Sequence, residues 1–329
     1  MRAAAPGKGR TICTLALNPA IDRTFWVDRI EFGETNRVGK ECRYAGGKGI
    51  DVSRVLTNMG VPNKALGFTG GFAGDELECR LINEGVRCEF IRISGETRTN
   101  IIVNDRGGGR QMLLSTSGPE VSPYELGALL KKVDGIEDAS FMSMGGSLPQ
   151  GVHPETYRRI IATMKRKGVP TLLDADGEAL KVGIEAGPDY IKPNRRELAG
   201  LVGRELGSVE DVLEAAEEAR DMGASTALVS MGPDGIVLVG EGKRYWAIPP
   251  KVDAVNSVGV GDSSVAGFIY GLANGMGERE CLVHAAAAGT ATALKPGTAR
   301  AGKRDVMDMV PRVELRDISK EVVLSAPGR

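Results

Sequence analysis

Two histidines are all that a chain of 329 residues carries. His153 stands before Pro154, beside an expected helix start, and His284 lies in the apolar run Leu282-Val283-His284-Ala285-Ala286. A histidine-built metal site and a Ser–His–Asp triad are both poorly supplied, so both residues read as structural. Cysteine is equally thin: five, at 13, 42, 79, 88 and 281, an odd number with no Cys-x-x-Cys. That excludes a disulfide framework and a zinc site and fits a cytoplasmic location. Aromatic residues make up only 5%, so base-stacking platforms are not a theme. Charge of one sign is missing too. Lys plus Arg (42) balance Asp plus Glu (43), which leaves no global field for nucleic acid or an anionic membrane. The cluster Lys165-Arg166-Lys167 reads as a solvated helix face. No apolar run reaches the roughly 18 residues of a membrane span. Residues 1–10 are basic and rich in small side chains, and the apolar stretch 12–17 after them is too short for a signal-peptide core.

What is present is an alternation. Short β-prone runs at 11–17, 65–69, 139–143, 171–174, 190–192 and 226–230 are separated by helical patterns at 49–59, 154–167, 195–202 and 209–222. A further pair, 236–239 and 245–248, reads as a hairpin. This predicts an α/β fold with a mostly parallel central sheet and helices on both faces. Several strands end in polar clusters: 18–22, Gly145-Gly146-Ser147, 174–176, Lys192-Pro193-Asn194 and Ser230-Met231-Gly232. Ligands bind beyond the C-terminal ends of strands in such folds, so these clusters mark a candidate site rim. Segments 25–44 and 88–115 break the alternation and read as a small second sheet, a lid over that rim. The expected units are a core of 11–22, 46–87 and 117–318, a β-sheet lid of 23–45 and 88–116, and flexible termini at 1–10 and 319–329.

The densest chemistry lies in Val255-Asn256-Ser257-Val258-Gly259-Val260-Gly261-Asp262-Ser263-Ser264-Val265-Ala266-Gly267-Phe268. Two glycines one residue apart lead into an aspartate, and Val265, Phe268, Ile269 and Leu272 follow at helical spacing. The pattern reads as a tight loop feeding a helix N-terminus, whose first N–H groups lack helical partners and favour an anion. Asp262 at the rim repels a phosphate but suits the base for a hydroxyl that attacks one. A plain helix cap accounts for an aspartate there as well.

Three further clusters follow the same pattern. Ala45-Gly46-Gly47-Lys48-Gly49-Ile50-Asp51 precedes a helix and lets backbone approach a substrate closely; it is not a Walker A loop, because Gly49 follows Lys48. Lys192-Pro193-Asn194-Arg195-Arg196-Glu197 places Asn194 and Glu197 as a capping box, or near a hydrated magnesium ion. Ser230-Met231-Gly232-Pro233-Asp234-Gly235 is a turn into a strand, or the edge of a nucleotide site. Asp22 suits sugar hydroxyls, and Arg98 suits a phosphate group.

In this order and spacing, from about 11 to 308, the motifs resemble the ribokinase/PfkB carbohydrate kinase family. The glycine cluster at 46–49 and the 255–268 stretch look like its two signatures. The phosphosugar branch, and 1-phosphofructokinases above all, is the most similar, through Leu17-Asn18-Pro19-Ala20-Ile21-Asp22, Gly33-Glu34-Thr35-Asn36, Gly146-Ser147-Leu148-Pro149-Gln150-Gly151 and Lys192 to Leu198. Tagatose-6-phosphate kinases and the minor 6-phosphofructokinases share most of these. The resemblance implies a ribokinase-like three-layer fold and ATP-dependent phosphorylation of a ketohexose phosphate, fructose 1-phosphate first.

It implies Asp262 as base beside an anion hole of Gly259, Val260 and Gly261. Asp22, Gly46, Gly47, Lys48, Asp51, Arg98 and Ser147 would bind the sugar phosphate. Lys192, Ser230, Gly232, Gly235 and Ser257 would bind the nucleotide, and Asn194 and Glu197 would hold Mg2+ through water. A K+ site beside the anion hole and a homodimer through the lid are common in the family. Asp51 departs from the usual asparagine; a second negative charge near a sugar phosphate is repulsive, which keeps an unphosphorylated sugar, polyol or nucleoside open as substrate. Ser257 and Val260 replace the usual threonine and alanine and keep the backbone role. A sensor of nucleotide or sugar phosphate without turnover is the non-enzymatic alternative. A dinucleotide dehydrogenase fits poorly, since the early glycines do not follow Gly-x-Gly-x-x-Gly.

Overall fold

The computed structural model describes residues 11–255, 257–296 and 300–319. Its strands are β1 (Thr11–Ala16), β2 (Ala20–Val27), β3 (Lys40–Gly46), β4 (Asn63–Thr69), β5 (Arg87–Cys88), β6 (Ile91–Arg92), β7 (Arg98–Asp105), β8 (Arg110–Leu114), β9 (Ala139–Gly145), β10 (Thr171–Asp174), β11 (Tyr190–Ile191), β12 (Thr226–Ser230), β13 (Ile236–Gly240), β14 (Lys243–Ile248) and β15 (Glu314–Asp317). The helices are α1 (Lys48–Asn58), α2 (Gly71–Asn83), α3 (Pro123–Asp134), α4 (Glu155–Arg166), α5 (Gly177–Ile184), α6 (Arg195–Val202), α7 (Val209–Asp221), α8 (Val260–Ala273), α9 (Glu278–Ala293) and α10 (Lys303–Met309).

Among the described residues, eleven strands form one sheet in the order β15-β14-β13-β12-β11-β10-β9-β1-β4-β5, with β6 also on β4. The run from β12 to β4 is parallel; β13, β14 and β15 add antiparallel strands at one edge. Side chains alternate across the sheet, as strand geometry requires. Ala227 and Val229 of β12 enter one apolar layer with α3, α4 and α7, while Leu228 enters the opposite layer with α1, α8 and α9. That makes three layers, the ribokinase-like arrangement. Helices α8 and α9 pack backbone to backbone. A side chain at Gly267 would stand 2.3 Å from the His284 carbonyl oxygen, and one at Gly271 would strike Cys281. His284 itself bonds the Glu280 carbonyl at 2.9 Å and stacks on Tyr270, which is the structural role expected.

The second sheet has four strands, ordered β3-β2-β7-β8. Its members differ in two places from the sequence reading. It begins at Ala20 rather than 23, so Asp22 sits on it. Cys88 and Ile91–Arg92 belong instead to the large sheet, where they extend β4 in parallel. Their two-residue lengths leave no alternation to read. Residues 1–10 and all but the first of 319–329, expected as flexible termini, lie outside the described residues.

Candidate active site

Strand register gathers the rim. Ala16 of β1 pairs with Gly145 of β9, and Gly145 with Asp174 of β10, so three parallel strands end level. Lys192, just past β11, bonds by its N–H to the Leu173 carbonyl at 3.0 Å, which sets its side chain beside Asp174. Asp174 is the hub of this region. It accepts from Lys48 Nζ at 2.8 Å and lies 3.3 Å from Lys192 Nζ, while Lys48 is 3.7 Å from Glu197. The sequence reading placed Asp174 only among strand-end polar residues. Lys48, expected on the sugar, is paired with these two acids. Burial disfavours the Asp174 charge, but Lys192 and Lys48 outweigh that and hold its carboxyl below the usual range. Burial likewise opposes the Lys48 charge, and Asp174 and Glu197 hold its ammonium above its ordinary value.

Helix α8 begins with Gly259 in the left-handed conformation, φ 74°, as cap. Val258 and Gly259 form the turn that leads into α8, and the first helical bond runs from Ser263 N–H to the Gly259 carbonyl at 2.9 Å. The N–H groups before Ser263 therefore lie at a helix N-terminus, which favours an anion. Asp262 is buried at 9% exposure, and its carboxyl is pushed up to about 7. Burial is the main cause; Asp51 and Asp174 add to it, and Lys48 and Arg300 oppose it. A side chain at Gly261 would reach 3.5 Å from Lys192 Nζ, which ties the helix start to the Asp174 hub. Ser257 is exposed in the turn before Gly259, and Asn256 lies outside the described residues.

The sugar side assembles around β1, β2 and α1. Gly46 faces Asp22 so closely that a Cβ would stand 2.2 Å from its carboxyl oxygen, and Gly47, φ 112°, lies against Pro19. Asp22 accepts from Asn100 at 2.8 Å, and its carboxyl is pushed up to about 6, by burial first and then by Asp51. Asn18 donates to Ser147 Oγ at 3.1 Å and to the Ser117 carbonyl. Arg98 donates to the Asn18 and Thr116 carbonyls and to Ser115 Oγ, so it pins the β8 exit loop as well as facing the rim. Asp51 carries a correction. It is not an uncompensated negative charge: Arg54 is 3.1 Å and Arg300 is 2.7 Å from its carboxyl, both buried. The repulsion anticipated against a phosphorylated sugar is therefore offset. Nothing in the motifs pointed to Arg300, Arg54 or Asn100.

Asn194 and Glu197 form the capping box of α6: the Glu197 N–H donates to Asn194 Oδ1 and the Asn194 N–H to Glu197 Oε2, both at 2.8 Å. The cap leaves Glu197 Oε1 over, facing Lys48. Among the described residues no cluster of three or more His, Cys, Asp or Glu side chains is placed to hold a metal ion. This donor set does not fit a dehydrated ion but fits a magnesium ion that keeps its waters. Ser230 pairs with Asn194 through a backbone bridge, so the turn holding Gly232 and Gly235 lies beside the same helix start. Gly235, φ 93°, leaves only 2.1 Å between a Cβ and the Ala247 carbonyl.

Three comparisons bear on this rim. The family model described as pfkB family carbohydrate kinase matches residues 13–304. The chain is 34% identical over 283 residues to the 1-phosphofructokinase of Bacillus subtilis, covering 86% of this chain and 92% of that one. It is 32% identical to the D-tagatose-1-phosphate kinase of Bacillus licheniformis, covering 89% of this chain and 96% of that one. A crystal structure of phosphofructokinase-2 from Escherichia coli in complex with potassium superposes with a TM-score of 0.88 at 30% identity, over 92% of this chain and 98% of that one. Matched by that model over most of its length, and at least 30% identical to these relatives, the chain belongs to the pfkB family of carbohydrate kinases.

Proposed function

We propose that this kinase transfers the γ-phosphoryl group of ATP to the primary hydroxyl of a phosphorylated ketohexose, converting fructose 1-phosphate to fructose 1,6-bisphosphate. One observation carries the reading: a buried carboxyl, Asp262, raised to about 7, in the first turn of α8, where helical bonding begins only at Ser263. The substrate oxygen attacks the γ-phosphorus, its proton passes to Asp262, and ADP leaves with the bonding electron pair. The amides of Gly259, Val260 and Gly261 stabilise charge on the transferring group. Asp22, Gly46, Gly47, Asp51 and Ser147 orient the sugar, and Arg98 holds its phosphate. Lys48 bridges the sugar side to Asp174 and Glu197. Lys192, Ser230, Gly232, Gly235 and Ser257 line the nucleotide. Asn194 and Glu197 would hold Mg2+ through its waters, and that ion would neutralise phosphate charge. A K+ site beside the anion hole is part of the proposal, supported by the potassium complex of the related structure. So are a cytoplasmic location and a homodimer joined through the small sheet, which acts as a lid excluding water.

The second reading is tagatose 1-phosphate as acceptor, favoured by the name of the Bacillus licheniformis relative. ADP release measured over fructose 1-phosphate, tagatose 1-phosphate, fructose 6-phosphate, tagatose 6-phosphate and free sugars separates them. The highest kcat/KM is expected with fructose 1-phosphate. Binding without turnover of any sugar would identify a sensor instead. Asp262→Asn is expected to lower kcat by about 10²–10⁴; near-native turnover would remove Asp262 as the base. Arg98→Ala is expected to raise KM for the sugar phosphate well above its effect on KM for ATP.

A further inference from the structure

Arg300 lies outside every motif, yet its side chain is 1% exposed and touches two parts of the site at once. Its Nη2 is 2.7 Å from Asp51 Oδ1, and its Nη1 donates to the Val258 carbonyl at 3.4 Å. The guanidinium also occupies the space beside Gly259: a Cβ there would stand 2.4 Å from its central carbon. Arg54 also donates to Asp51 Oδ1, at 3.1 Å, but its other bonds run to Glu84 and to the Ala45 carbonyl, away from the turn before α8. Both arginines offset Asp51, and Arg300 is the one that also reaches the turn before α8. Burying an arginine is unfavourable unless it is paired, and breaking such a pair leaves a charge exposed to its neighbours.

We propose that Arg300 is a positioning residue: it cancels the Asp51 carboxylate and holds the Val258–Gly259 turn, so one side chain sets both the charge beside Asp262 and the aim of the anion hole. The inference rests on the proposed role of Asp262 and the glycine turn. The charged groups that act on Asp262 are Asp51 and Lys48 from α1, Asp174 from β10 and Arg300 before α10; Lys192 faces the neighbouring Gly261, and Asp22 lies beyond Asp51. Removing either member of the pair must move Asp262 in opposite directions.

The test is a carbon-13 NMR titration of the Asp262 carboxyl in the full-length enzyme without substrates, its resonance assigned with Asp262→Asn. Asp51→Asn is expected to lower the midpoint and Arg300→Met to raise it, by about one pH unit each. The double variant is expected to return close to the native midpoint. Arg300→Lys keeps the charge, so its midpoint should stay, while the looser turn lowers kcat by roughly tenfold with little change in KM for ATP. A folded Arg300→Met enzyme with an unmoved midpoint overturns the proposal, as does a double variant no different from Arg300→Met. Should Arg300→Met fail to fold, Asp51→Asn and Arg300→Lys decide: an unmoved midpoint in the first, or native kcat in the second, overturns it. A native enzyme that phosphorylates no sugar phosphate defeats the proposed function, yet leaves the titration able to read the pair.

Discussion

At the residue scale, a carboxyl that titrates near 7 is half charged at neutral pH, and a base must be charged to act. With Asp262 pushed up to about 7, kcat/KM should rise about tenfold per pH unit below that point and level above it. An initial-rate profile in which this acid limb lies near 4 would mean that Asp262 is not held as the structure has it. The raised pKa also has a consequence for stability. The folded carboxyl keeps its proton to higher pH than the ordinary value of 3.8, so the native state binds more protons than the unfolded chain between those limits. Stability from this group is complete at low pH and is lost as pH rises through about 7. Asp262→Asn lacks that loss. It should match the native enzyme near pH 4 and exceed it above pH 7, by a few kcal/mol at most, since each pH unit between the two limits is worth about 1.4 kcal/mol. Urea unfolding of both proteins at the two pH values measures the difference; a variant less stable at both would show that the buried charge is well accommodated.

At the element scale, helix starts do double duty, and substitutions can separate the two roles. Glu197 caps α6 and is also a candidate for the ion's hydration shell. Glutamine serves a capping box as well as glutamate does, so Glu197→Gln should keep stability within about 0.5 kcal/mol, whereas Glu197→Ala should lose about 1 kcal/mol. If Glu197 also orders magnesium, Glu197→Gln raises the Mg2+ concentration needed for half-maximal rate; an unchanged Mg2+ titration leaves it as a cap alone. The start of α8 behaves differently. Gly259→Ala forces a left-handed backbone on an L-residue, about 1–2 kcal/mol, and drives its Cβ into the Arg300 guanidinium, so a large loss of kcat is expected in steady-state assays. These two turns were legible in the sequence because glycine, asparagine and a following acid obey local rules. Asp174 showed only as part of a strand-end polar cluster, and Arg300 not at all. Their importance comes from partners far along the chain, brought near by strand register and by the docking of the chain after α9. The visible trace of Arg300 was the departure at Asp51, read as a charge in excess when two arginines meet it.

At the scale of the whole molecule, alternation made the large sheet readable, since its parallel strands β1, β4, β9, β10, β11 and β12 are buried almost throughout and most are followed by a helix. The small sheet could be recognised only by its failure to alternate, and its order, with β2 and β7 parallel at the centre, rests on long-range pairing that no local pattern encodes. That sheet also carries exposed apolar side chains. Strand β8 is an edge, and Met112, Leu113 and Leu114 are 38%, 55% and 49% exposed, with Phe32 and Val38 bare in the β2–β3 connection. Apolar side chains on an open edge strand invite pairing, and the lid-to-lid homodimer would cover them. Leu113→Glu places a charge in that contact. The native protein should sediment at about twice its chain mass of 34.8 kDa, and the variant at one chain mass. The exit of β8 leads directly into Ser115 and Thr116, which hold Arg98. Loss of the partner should therefore loosen Arg98 and raise KM for the sugar phosphate more than KM for ATP. A native protein that sediments as a single chain removes the dimer, and with it any coupling between that surface and the phosphate end of the pocket.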